Sequence, residues 1–180
     1  MKGMVFTEFV EMVEESFSPE IADRMIIDAN VPSGGAYTSV GLYDYKEMLS
    51  LVTALSKLTE TPVPELVRAF GGYLLNRFVV GHAHFFANMH STFDFLQSVH
   101  DTVHTEVLKL YPDAQLPHFD TERQGDTLVM VYRSKRPFAD LAEGLILGSF
   151  DYFNEKVTLQ REDSRDGDYN VSRFVLKVLN

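Results

Sequence analysis

Apolar residues recur at three- and four-residue steps through the first part of the chain and at alternate positions through much of the rest. Val5, Phe6, Phe9, Val10 and Val13 give a first amphipathic helix ending near Ser18-Pro19, and a shorter helix is expected from Pro19 to Ala29. Asn30-Val-Pro-Ser-Gly-Gly is loop chemistry. Met48, Leu51, Val52, Leu55 and Leu58 mark a third helix, closed by the Thr59-Glu-Thr-Pro region. A longer one opens at Thr61-Pro-Val-Pro-Glu, with Leu66, Val67, Phe70, Leu74, Phe78 and Phe85 as its buried line. Phe93, Leu96, His100, Val103/His104, Val107 and Leu110/Tyr111 then fall on one stripe of a long helix that Tyr111-Pro112 stops.

After Pro117 the period changes to two. His118-Phe-Asp-Thr-Glu-Arg and Thr127-Leu-Val-Met-Val-Tyr-Arg-Ser flank Gln124-Gly125-Asp126, a hairpin turn. Phe138 to Phe153 returns to helix, with Leu141, Leu145, Gly148 and Tyr152 on one side. Lys156 to Arg161 and Tyr169 to Leu179 read as strands around a charged turn from Asp163 to Asp168. Helices first and then ββαββ predict an α+β fold, a helical N-terminal half packed with an antiparallel-sheet half. A single domain over 1–180 is expected, with a helical subregion at about 1–60 and the site-bearing helices and sheet at about 61–180.

On the second predicted strand, Tyr132, Ser134 and Arg136 form Tyr-x-Ser-x-Arg. Residues two apart on a strand share a face, so a phenol, a hydroxyl and a guanidinium would converge there. Such a trio suits a carboxylate or phosphate, with Arg136 able to grip it bidentately, although a polar edge-strand face would look the same. Upstream, His104 looks out of an apolar helical stripe, a common setting for a metal or haem-iron ligand. Together these describe a cofactor that is metal-containing, planar, apolar in the middle and anionic at one edge, and haem with its two propionates fits.

At 45% hydrophobic and 12% aromatic residues the chain can build a core and line a sizeable pocket. A formal net charge of -10 argues against nucleic acid or an anionic membrane as partner. The absence of cysteine excludes disulfides, thiolate-ligated or covalently attached haem, and thiol catalysis. Acidic residues interrupt the N-terminal apolar run, so neither a signal peptide nor a membrane span is expected there, and a cytoplasmic protein is.

The chain resembles the haem-nitric oxide/oxygen binding (H-NOX) domains, the family that includes the haem sensor of soluble guanylate cyclase. The resemblance runs from Met1-Lys-Gly through His104, seven residues before Tyr111-Pro112, to Pro117 in Leu-Pro-His-Phe and to Tyr132-x-Ser134-x-Arg136. It implies a bacterial stand-alone member that holds haem b between its two halves, with His104 as proximal iron ligand. Tyr132, Ser134 and Arg136 would hold the propionates, and Pro117 would press on the porphyrin. In oxygen-binding members a distal tyrosine lies five residues past the motif arginine. Leu141 stands there in this chain, with Val5, Phe9, Leu74, Phe78 and Leu145 as the other distal positions, none of them a donor. The resemblance therefore implies a non-enzymatic sensor that binds nitric oxide, and also carbon monoxide, and excludes oxygen. Its output would pass to a separate protein such as a histidine kinase or a cyclic-di-GMP enzyme.

Two other readings use the same residues. A haem carrier would need the pocket without signalling. A zinc hydrolase could use His100 and His104, spaced four apart as in His-Glu-x-x-His, but Asp101 stands in place of Glu and no third ligand follows. His82, His84 and His90 cluster near a helix end, where they read as solvent-facing. Tyr73 and Tyr152 are the donors nearest the predicted distal positions.

Overall fold

The computed structural model describes residues 1–87, 89–110 and 112–179, without the side chains of Phe85 and Leu110, so Tyr111 and those two predicted stripe residues lie outside the described set. The N-terminal half is built from α1 (Gly3–Ser16), α2 (Pro19–Ala29) and α3 (Tyr45–Thr59). Their ends follow local chemistry. Ser18 accepts from the Ile21 N–H with Pro19 at the first turn of α2, and Asp44 accepts from the Lys46 N–H at the start of α3. Asn30 ends α2 in the left-handed conformation (φ 46°), which asparagine tolerates.

α4 (Val63–Gly81) runs from this half into the next. Leu66, Val67 and Phe70 belong to a core with Phe6, Phe9, Met25 and Leu51, whereas Leu75, one turn on, belongs to a second core with Phe93, Ile146 and Phe174. The helical core thus reaches into α4 and also takes Phe138, beyond a boundary near residue 60. α7 (Ala139–Tyr152) packs against α4, and Ile146 and Phe150 lie over the sheet.

The sheet has the order β1-β2-β4-β3, antiparallel throughout: β1 (His118–Gln124), β2 (Thr127–Ser134), β3 (Val157–Asp166) and β4 (Tyr169–Val178). Leu128, Met130 and Tyr132 of β2 and Ser172, Phe174 and Leu176 of β4 alternate onto the buried face. This is the predicted ββαββ order. Two expectations change in detail. β3 continues through Asp163 to Asp166, because ladder pairing with β4 holds it extended, so the charged turn shrinks to Gly167 (φ 56°) and Asp168. The helix expected through His104 is α5 (Thr92–Ser98) and α6 (His104–Leu110) joined by a π-helical turn over Val99–Val103. Among the described residues no helix is long and apolar enough to cross a membrane.

Candidate cofactor site

A cavity of about 430 Å³ lies between the two halves, a size suited to burying a cofactor-sized ligand. α1 contributes Val5, α4 contributes Leu74 and Phe78, and α7 contributes Leu141 and Leu145. The π turn and α6 bring Val99, Val103 and His104, the loop before β1 brings Gln115 and Pro117, and Tyr132, Ser134 and Arg136 complete it. Phe9, predicted among the distal positions, is not on the wall. It lies one helical turn beyond Val5, fully buried in the N-terminal core with its ring edge-on to Phe70 at 5.1 Å.

His104, and not His100, lines the cavity. It opens α6 directly after the π turn, an irregularity that often marks a functional position in a helix. Its Nδ1 is buried with no hydrogen-bond partner, and its ring rests on Phe119 at 5.7 Å. Burial, and then the neighbouring His100 and His118, push its pKa down to about 4, so the imidazole keeps a lone pair available for a metal. His100 turns the other way, edge-on to His118 at 4.3 Å, and His118 bonds to Asp120 at 3.1 Å. Among the described residues no cluster of three or more His, Asp or Glu could hold a metal, so no third ligand joins His100 and His104.

The low pKa has a consequence for the apoprotein. A histidine whose folded pKa lies below its unfolded value of 6.5 binds protons more readily in the unfolded chain, so its stabilising contribution is complete above pH 6.5 and is lost as pH falls toward 4. Urea unfolding of the apoprotein should show a loss of about 1–2 kcal/mol between pH 7 and pH 5. The His104→Leu variant should lack that loss. An equal pH slope in both proteins would assign it to other groups.

At the opposite chemical extreme of the cavity stand Tyr132, Ser134 and Arg136. Alternation along β2 puts Tyr132 and Ser134 on one face, as predicted, but Arg136 lies past the strand end. β4 offers no partner beyond Asn170, and Pro137 cannot continue a ladder. A tight corner brings the third residue back instead: the Tyr132 hydroxyl donates to the Arg136 carbonyl at 3.2 Å and the Arg136 N–H donates to Ser134 Oγ at 3.1 Å. The guanidinium donates to Gln115 Oε1 at 2.7 Å and lies 5.6 Å from the Tyr45 ring. Among the described residues it has no carboxylate partner, whereas Arg68, Arg77, Arg123 and Arg161 each have one. In a chain with ten more acidic than basic residues, an arginine left without an anion beside a cavity is suited to an anion brought in from outside.

The residues present therefore fit haem: an apolar middle, a neutral imidazole on one wall, and a cation with a phenol and hydroxyl at one edge. Neither Tyr73 nor Tyr152 reaches the cavity. Burial and the Glu15 carboxylate push the Tyr73 phenol up to about 12 on the α1 side, and Tyr152 is exposed beside Phe86. His82 does line it, contrary to the solvent-facing reading, because it continues the α4 stripe of Leu74 and Phe78 with its ring 4.8 Å from that of Phe78. A more open depression of about 560 Å³ between α2 and α3, lined by Asp28, Ser50 and Lys57 among others, has no comparable donor set.

A family model described as Haem-NO-binding matches residues 2–161. Among solved structures, the Fe(II) unliganded H-NOX protein from K. algicida is 30% identical with a TM-score of 0.92, covering 100% of this chain and 97% of that one. The H-NOX protein from S. oneidensis in the Fe(II)NO ligation state is 24% identical with a TM-score of 0.90, each chain covered to 100%. A mutant of T. tengcongensis H-NOX is 22% identical with a TM-score of 0.90, covering 100% of this chain and 98% of that one. No curated protein matches the chain.

Proposed function

The chain belongs to the haem-NO-binding (H-NOX) family, haem-binding gas sensors, and we propose that it senses nitric oxide through haem b, excludes oxygen, and regulates a separate signalling protein. The observation that carries this reading is one apolar cavity with a neutral, unpartnered His104 on its wall and an ion-unpaired Arg136 at its edge.

When bound, haem would supply a ferrous iron able to take a diatomic gas such as nitric oxide or carbon monoxide. His104 is the residue that would hold the iron, and Tyr132, Ser134 and Arg136 would hold the propionates. Pro117, on the same wall, would press on the ring. His104 opens α6 directly after the π turn, so any change in how His104 is held would be passed to α6 at a point already outside regular α geometry. The cavity walls come from both cores, so a change there moves the helical half against the sheet half. A separate histidine kinase or cyclic-di-GMP enzyme would read that movement.

Oxygen selectivity rests on Val5, Leu74, Phe78, Leu141 and Leu145, which offer no hydrogen-bond donor. His82, at the C-cap of α4 one turn beyond Phe78, is held against that ring at 4.8 Å. A Leu141→Tyr substitution should supply the missing donor and strengthen oxygen binding by roughly 10- to 100-fold, the worth of a charge-assisted hydrogen bond. Oxygen titration of the reduced variant would read this, and an unchanged affinity would place Leu141 away from the ligand.

The deciding experiment is the absorption spectrum of the anaerobically reduced protein, then with nitric oxide, then in air. A five-coordinate ferrous spectrum that shifts with nitric oxide and ignores oxygen is expected. A stable oxygen complex in the wild type would recast the protein as an oxygen binder, and the absence of a Soret band would remove the haem reading. A carrier without signalling would show the same spectra but no change in shape or partner affinity on nitric oxide binding.

A further inference from the structure

The Arg136 guanidinium is held by a residue that no motif singles out. Gln115 accepts from it twice, through Oε1 from Nη2 at 2.7 Å and through the backbone carbonyl from Nη1 at 3.5 Å. Gln115 sits in the loop between α6 and β1, and both it and Arg136 line the cavity. Asp113, two residues earlier, also lines the cavity, and among the described residues it makes no ion pair with Arg136. The chemistry of the partner matters here. A carboxylate at position 115 would hold the arginine equally well but would neutralise it and compete with any arriving anion. An amide oxygen fixes the direction of the fork and leaves its charge unspent.

We propose that Gln115 is a positioning residue that aims Arg136 at the anionic edge of the cofactor without discharging it. The inference rests on the haem reading above and assigns the anion to the cofactor's carboxylates. It makes two opposite demands on a single substitution. Gln115→Glu builds an ion pair with Arg136, so the apoprotein should be as stable as wild type or more so, while its hold on haem weakens. A residue with only a structural role would lose both together.

The test is transfer of the cofactor from loaded protein to excess apomyoglobin, for wild type, Gln115→Glu and Gln115→Leu, alongside urea unfolding of each apoprotein. Each protein is loaded with haem and, separately, with haem dimethyl ester, whose edge carries no charge. Gln115→Glu should release haem roughly three- to fivefold faster than wild type, the ratio set by one exposed ion pair. Gln115→Leu should also release it faster, by about twofold, because the fork is no longer aimed. With the dimethyl ester the three proteins should release alike. Haem loss at the wild-type rate in Gln115→Glu would overturn the proposal, as would equal acceleration with the ester. Wild type that takes up neither cofactor would overturn this proposal together with the haem reading, whereas the other failures leave that reading standing.

Discussion

His104→Gly is expected to abolish the five-coordinate ferrous spectrum, and added imidazole to restore it. Partners that merely orient a metal ligand are worth roughly 10- to 100-fold in metal affinity. Removing the ligand itself should exceed that, so haem retention should fall by more than about 100-fold unless the apolar walls alone hold the ring. Imidazole fits the gap because His104 Nδ1 makes no hydrogen bond that the free ligand would have to reproduce. The control is His100→Gly. His100 stands off the cavity against His118, so its loss should leave the spectrum unchanged. Were His100→Gly to lose the spectrum while His104→Gly kept it, the helix would present the other histidine, and the π turn would be placed one residue off.

That comparison also marks the limit of what the sequence shows. His100 and His104 are four apart and both fit an apolar stripe, so periodicity alone cannot choose between them. The structure separates them because Val99–Val103 is π-helical and turns their side chains to different surroundings. An α pattern and a short π insertion leave the same trace in a sequence. The overall order of elements was legible because it rests on strong local signals: Ser18-Pro19 opening a helix, Gly125 and Gly167 turning hairpins, alternation through Leu128, Met130 and Tyr132. The candidate site was legible where a residue type carries its own chemistry, as with Arg136, which lines the cavity. It was not legible where position depends on packing between distant helices. Phe9 shares the α1 face with Val5, yet Phe70 covers it. Gln115 is an isolated glutamine in a loop, with nothing in its neighbours to mark it. The far half of β3 is charged on both faces, so alternation stops short of it, and only pairing to β4 shows it to be strand.

The walls of the cavity depend on a contact where no side chain fits, and Gly144→Ala tests it. A Cβ on Gly144 would lie 2.0 Å from the Arg68 carbonyl oxygen and 2.9 Å from Gly71 Cα. One on Gly71 would lie 2.5 Å from the Leu141 carbonyl oxygen. These obstacles are backbone, which cannot swing aside as a flexible side chain could. α4 and α7 must therefore part before either methyl fits, and in parting they pull Leu74 and Phe78 away from Leu141 and Leu145. They also strain the bonds from Arg161 to Asp140 at 2.6 Å and to Glu143 at 2.8 Å, which tie α7 to β3. Alanine is the better helix former by up to about 1 kcal/mol, but overpacking of a tight interior contact costs roughly 1–3 kcal/mol and sometimes more. The net expectation is a loss of about 2 kcal/mol in urea unfolding for Gly144→Ala, and failure to fold for Gly144→Val. Gly72→Ala is the matched control, on α4 one residue from the contact, where a Cβ would meet only the Gly144 carbonyl oxygen at 4.0 Å. With room to spare, it should stabilise the protein by up to about 1 kcal/mol through helix propensity alone. Opposite signs for two glycine-to-alanine changes at neighbouring points of one interface would establish that backbone approach, rather than helix content, sets the spacing of the α4 and α7 walls. Equal signs would mean the helices slide to accommodate a methyl group, and the cavity they line would then be adjustable rather than fixed.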